Sequence, residues 1–275
     1  MLARFLIFCR KGYMFVKRGL LIFVSYKLQF VLSIISIFFS LVSFYFMVHF
    51  LGLTDFNPQL ADLGGNYLSF LIIGSIYLGL TSVGQVSFAS TLSEEQSLGT
   101  LEQLFISKTS IWHILLFSSI WNYLTTIVNM IIVLMIYGYF FQVRLHANLL
   151  SSTVILVISS AAMMGIGMIS AGFILRYKKG DPISWAYGIL TGLLSGIYYP
   201  VEVLPGYLQT LSKILPSTYA IAALRRTTLT GATITEVLPE IWILLLFALI
   251  TVPIGLIFVR SSFNFARKQG SLGWY

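Results

Sequence analysis

The feature that constrains this chain most is a series of long runs without Asp, Glu, Lys or Arg. The first extends from Leu28 to Thr54, and others cover 63–93, 109–143 and 145–175. Shorter ones begin at Pro182 and Ile241. A helix needs roughly 20 apolar residues to cross a bilayer core of ~30 Å. The runs therefore predict spans at 29–51, 67–92, 113–141, 149–175, 182–199 and 241–259. The first four runs exceed the minimum and should tilt or project beyond the core. The fifth is near the minimum and contains Gly and Pro. Composition agrees: 57% of residues are hydrophobic and 9% charged, against about 25% charged in a soluble domain. The expected fold is all-α and integral to the membrane. It is one transmembrane domain over 1–275, with six transmembrane helices.

Lys and Arg give the orientation. If sides alternate with each span, thirteen basic residues lie on the side of the N-terminus and four on the other. The positive-inside rule then places both termini in the cytoplasm, in a multi-pass protein of the cell membrane. The net charge of +8 is read as topology and headgroup contact, with no nucleic-acid partner. Residues 1–27 carry six basic residues spread along them and read as no cleavable signal. At about 100° per residue, Arg4, Lys11 and Arg18 share a narrow arc opposite Phe5, Cys9 and Val16. This is an amphipathic helix expected to lie in the membrane interface. Cys9 is the single cysteine, so no internal disulfide can form.

Catalytic chemistry is not expected. No Gly-rich loop ends in Gly-Lys-Ser or Gly-Lys-Thr, which removes the P-loop kind of nucleotide site. His49, His113 and His146 lie near span ends without metal-ligand spacing, so no metal site is predicted. Few ionisable residues fall deep inside a span, which counts against proton-coupled carriers and membrane enzymes.

Three segments carry information. In 94–107, Glu94-Glu95-Gln96 precedes Gly99, which can break the outgoing helix. Thr100 with Gln103 fits a capping box that starts a new helix. Leu101, Leu104 and Phe105 give that helix a small apolar face, with Glu102 to the side. Its acidic residues disfavour the negatively charged cytoplasmic leaflet, so the helix reads as a protein-docking element. In 200–230, Pro200, Pro205 and Pro216 divide a loop too apolar to be ordinary. Tyr207, Leu208, Leu211, Ile214 and Leu215 predict an amphipathic helix, Ser217 can cap a second, and Glu202 sits between prolines. These read as re-entrant or interfacial helices closing the outer end of a pathway. In the fifth predicted span, Gly188, Gly192 and Gly196 make one smooth stripe, for a subunit interface, a moving contact or packing within the chain.

These residues resemble a known family. An acidic pair followed by Gly99-Thr100-Leu101-Glu102-Gln103-Leu104 is similar to the loop of type-2 ABC exporter permeases. Ser107-Lys108-Thr109-Ser110 stands where that family commonly has Ser-Pro-x-Ser. Ser195-Gly196-Ile197-Tyr198-Tyr199-Pro200, then Leu204-Pro205, then Leu215-Pro216-Ser217-Thr218-Tyr219-Ala220 with Arg225, resembles its second hallmark. The resemblance implies a homodimer, or a heterodimer with a similar permease, bound to two copies of an ABC ATPase subunit. Glu94, Glu95 and Gly99 through Phe105 would form the coupling helix seated in the ATPase. Lys178, Lys179, Gly180 and Asp181 would make a secondary cytoplasmic contact. Tyr199, Pro200, Glu202, Pro205, Pro216 and Tyr219 would belong to the outer gate. ATP and Mg would bind the partner ATPase, with no cofactor on this chain. The implied function is export of an amphipathic substrate: a drug, a lipid or a lipid-linked glycan. A stand-alone channel or secondary transporter is the alternative.

Overall fold

The computed structural model describes residues 2–53, 60, 66–97, 111–141, 146–177 and 180–268. Among them are nine α-helices, one 3-10 turn at Val201–Val203 and no strand. The helices are α1 Leu2–Ser25, α2 Lys27–Phe50, α3 Tyr67–Ser97, α4 Ile111–Phe141 and α5 Leu149–Tyr177. They continue with α6 Pro182–Leu194, α7 Gly206–Ser212, α8 Pro216–Leu229 and α9 Leu238–Lys268. An all-helical chain is what a bilayer demands, because each backbone donor and acceptor must be satisfied within its own segment. Five helices, α2, α3, α4, α5 and α9, are long and apolar enough to cross a membrane. This is a multi-pass membrane protein.

The centre of the bundle is α3, α5 and α9. Over their spanning windows 67% of α3 and 61% of α5 are buried, against 17% of α9, 11% of α2 and 6% of α4, so α9 packs along α5 with most of its surface outward. Small residues make the close approach possible. A Cβ built on Gly255 of α9 would lie 2.5 Å from the Gly165 carbonyl oxygen of α5. One built on Gly84 of α3 would lie 2.8 Å from the Met163 Cβ. Thr251 Oγ1 donates to the Ala162 carbonyl at 3.0 Å across the α5–α9 seam. Packing of small residues, not exclusion from water, drives helices together inside lipid.

The bundle has two ends. At one, named here for Glu95, α3, α5 and α9 finish, and Phe88, Leu92, Leu115, Ala171, Leu175 and Val259 form a core. There α1 lies against α4, with Phe15 and Phe117 rings 5.7 Å apart and Arg18 3.9 Å from Glu95. At the other end, named for Arg225, α3 begins and α7 and α8 fold back into the bundle. Ile73 and Tyr77 of α3, Ile155 of α5, Ala220 and Leu224 of α8, and Leu244 of α9 form its core.

The fifth predicted span differs from expectation. Its helix, α6, has 13 residues, about 20 Å, which is short of a bilayer core on its own. It starts where expected, because Asp181 caps it: Oδ1 accepts from the Ser184 amide at 3.0 Å, and Pro182 occupies the first turn. It stops early, because Gly196 adopts φ +77°, a left-handed conformation that turns the chain out of the helix. Beyond Leu194 the chain is irregular, and its Tyr198 carbonyl accepts from Tyr67 Oη at the start of α3, 2.7 Å.

Candidate functional site

The sequence-named residues fall at the two ends of α3. At the Glu95 end, Glu94 and Glu95 occupy the last turns of α3 and lead toward the proposed docking segment. Gly99, Thr100, Leu101, Glu102, Gln103, Leu104 and Phe105 lie outside the described residues, as do Lys178 and Lys179. Gly180 takes φ +66°. Asp181 is committed to structure: besides capping α6 it accepts a short hydrogen bond from Ser170 Oγ, which ties α6 to α5. A nearby recess is lined by Val86, Ala89 and Ile174 together with Ser90, Ser93 and Asp181.

At the Arg225 end the site is built around a side chain that the sequence reading mentioned only within a motif. Arg225 is 4% exposed. Its Nη1 donates to the Gly196 carbonyl at 2.6 Å, and its Nη2 donates to Ile197 at 2.8 Å and Phe70 at 3.1 Å. The guanidinium also lies 3.3 Å from the centroid of the Phe70 ring, a cation–π contact. Arginine keeps its charge at any ordinary pH, so this cation is solvated by carbonyl oxygens instead of water. The chain leaves the helix at Gly196, and that departure frees two of these carbonyls. Gly74 makes room for the assembly: a Cβ there would sit 2.5 Å from the Ile197 oxygen.

The residues expected at the outer gate lie around this anchor. Pro200 and Pro205 bound a turn that Gln209 Nε2 closes by donating to the Leu204 carbonyl at 2.8 Å. Tyr199 Oη donates to Leu193 at 2.5 Å and Tyr219 Oη to Lys213 at 3.0 Å. Pro216, not a Ser217 cap, starts α8: Leu215 is the capping residue and Pro216 fills the first helical position. Ser217 instead turns inward and bonds Ser195 at 2.5 Å, joining α8 to the end of α6. The predicted helix over 207–215 is the two-turn α7, Gly206–Ser212, with Tyr207 and Leu211 exposed and Leu215 buried beyond it. Arg226, next to the anchor, faces the other way and pairs with Glu240 of α9 at 2.8 Å. A cavity of about 810 Å³ lies among Phe70, Pro200, Glu202, Lys213, Tyr219 and Arg225.

The glycine stripe divides into two roles. A Cβ on Gly188 or Gly192 would meet nothing within 4 Å among the described residues. Gly196 belongs to the chain reversal.

What the sequence missed was Arg225 as an anchor, with Tyr67 and Tyr198 beside it. A usable signal was present: an arginine within a re-entrant segment must find partners, and carbonyls freed by Gly196 are the available ones.

Comparison with known proteins agrees with this architecture. The profile described as ABC-2 family transporter protein matches residues 53–257. The chain is 30% identical over 99 residues to the linearmycin resistance permease protein LnrN of Bacillus subtilis, covering 36% of this chain and 26% of that protein. It is 25% identical over 191 residues to the probable multidrug ABC transporter permease YbhR of Escherichia coli, covering 69% of this chain and 50% of that one. The matched part thus spans half or less of these relatives. With most of its length under the family profile and its helices arranged as a multi-pass bundle, the chain belongs to the ABC-2 transporter family and is a type-2 ABC permease.

Proposed function

We propose that this permease is the membrane subunit of an ATP-driven exporter that moves an amphipathic substrate outward, with hydrolysis on a separate ATPase subunit. The observation that carries the reading is the continuity of α3. One helix of 31 residues bears Glu94 and Glu95 at one end. At the other it is bonded to the chain reversal through Tyr67 and, through Phe70, to Arg225. A push on the segment after Ser97 is therefore delivered to the segment from Gly196 to Tyr219 by a rigid element. The excess of basic residues supports a cytoplasmic Glu95 end. The five long helices, with α6 and its turn as a sixth crossing, return both termini to that side.

In this mechanism the coupling helix over 94–107 seats in the ATPase, with 178–181 as a second contact. ATP binding favours one position of α3 and nucleotide release the other. The Arg225 end opens or closes in step. A second copy of the chain, or a homologous permease, covers the open Gly188–Gly192 face of α6, and the substrate path runs between the copies. The relatives named for linearmycin resistance and multidrug transport support an amphipathic cargo.

The test is co-purification of the tagged chain from its native membrane, followed by an ATPase assay, with Leu104→Asp alongside. The expected result is a stoichiometric ATPase that the variant loses. A chain that transports alone and ignores the substitution overturns the reading in favour of a stand-alone transporter.

A further inference from the structure

Helix α1 packs on α4 along one side. A Cβ built on Gly12 would lie 3.0 Å from the Phe117 ring of α4, and one built on Gly19 would lie 2.3 Å from the Trp121 ring. Phe15 meets Phe117 between them. At about 100° per residue these three α1 positions share a narrow arc. Arg10 and Lys17 fall on the opposite side, next to Tyr13, Leu20 and Val24, and all five are exposed. No acidic residue occurs anywhere in α1.

A helix side that mixes exposed cations with exposed apolar side chains suits the boundary between headgroups and acyl chains. Its charge has a single sign, so the lipid surface it fits is an anionic one. In the exporter reading α1 lies at the cytoplasmic end, where the leaflet is negatively charged.

Arg18 stands between the two sides of α1. Its side chain is 58% exposed, and its Nη1 lies 3.9 Å from Oε1 of Glu95, whose side chain is 13% exposed. Glu95 belongs to the last turn of α3, from which the docking segment continues. A guanidinium carries five N–H donors in a fixed fork. Arg18 can therefore hold a phosphate oxygen with its outward donors while it keeps Glu95.

We propose, resting on the exporter reading, that the basic side of α1 binds anionic phospholipid headgroups and that the Arg18–Glu95 pair makes ATP hydrolysis respond to them. A phosphate on the outward donors of Arg18 holds the pair in place, and with it the last turn of α3. Anionic lipid then raises the coupled rate.

The experiment places the permease–ATPase complex in phosphatidylcholine nanodiscs with rising fractions of phosphatidylglycerol. ATP hydrolysis and thermal stability are read together. Phosphatidylglycerol should raise both, and neutral phosphatidylethanolamine should raise neither. Lys17→Gln should increase the half-activating fraction about fivefold, the factor that one basic residue near an anionic surface is worth, and reach the same plateau. Arg18→Gln should keep most of the lipid-dependent stabilisation and lose the rise in hydrolysis. That split separates a relay from a plain membrane anchor. Hydrolysis indifferent to phosphatidylglycerol, an equal response to phosphatidylethanolamine, or full activation in Arg18→Gln overturns the proposal. So does loss of the ATPase from Lys17→Gln, which would assign this side of α1 to the ATPase. If the unaltered chain brings down no ATPase, the exporter reading fails instead. The stability titration on the permease alone then still decides whether α1 binds anionic lipid.

Discussion

Helices α2 and α8 make opposite use of their sequences. Most side chains of the 24-residue α2 are apolar, yet among those whose burial is described the buried ones are Leu41 and Val48, while Phe39, Phe46 and Phe50 are exposed. The 14-residue α8 reads as a polar loop segment with two arginines and four threonines or serines. Even so, Pro216, Ser217, Ala220, Ile221, Ala223, Leu224, Arg225 and Thr227 are all buried. In water the apolar helix would be the core and the polar one the surface. In lipid, hydrocarbon solvates α2 at no cost, and burial is decided by which groups need partners. Arg225, Ser217 and Thr227 need them. Thr227 accepts from Ser152 Oγ of α5 at 3.0 Å, and its carbonyl accepts from the Asn148 amide at 2.8 Å.

The most severe way to break this contrast is Arg225→Leu, which suits lipid but strands three carbonyls. Leaving buried polar groups unpaired costs about 1–3 kcal/mol each. The variant should lose export and most of its folded yield, read by size-exclusion profile and thermal aggregation in detergent. Arg225→Lys, a point donor without the fork, should fall between. An Arg225→Leu protein as stable as the parent would show that the anchor is dispensable.

Next in size is Gly255→Leu on α9. Its added side chain meets the α5 backbone, and overpacking of this kind costs about 1–3 kcal/mol. A lower aggregation temperature should follow, although the substitution makes the helix more apolar. Tyr67→Phe is milder. It removes the bond to the Tyr198 carbonyl, about 0.5–1.5 kcal/mol. Coupled transport should drop several-fold while the amount of co-purified ATPase stays the same. Stability without a transport defect would remove Tyr67 from the route between the two ends. Phe46→Ala on α2 should change stability by less than about 0.5 kcal/mol, as for exposed positions generally. A larger loss would identify that face of α2 as a protein interface instead of a lipid surface, and would end the contrast with α8.

The legible parts of the fold were those in which one physical rule acts over many residues. Charge-free runs located α2, α4 and α5 to within two residues, because a bilayer imposes length and composition together, while α3 and α9 run on past the predicted ends at 92 and 259 to Ser97 and Lys268. The acidic pair at 94–95 and the prolines at 200, 205 and 216 lie at opposite ends of the bundle. The fifth span was harder to read, since apolar composition continues past Leu194 and conceals the turn that Gly196 makes. Nor could spacing tell that Gly188 and Gly192 face open space while Gly165 and Gly255 carry a helix crossing. All four look alike in the sequence.

By itself, then, the sequence determined that this chain lives in a bilayer, where its long apolar helices run, and which family motifs it carries. These follow from hydropathy and charge, which are sums over neighbouring residues. Only the tertiary structure decided that Arg225 closes on the carbonyls of Phe70, Gly196 and Ile197. That depends on residues up to 155 positions apart meeting at hydrogen-bond distance. No local pattern records such a meeting, because it is fixed by how the helices pack.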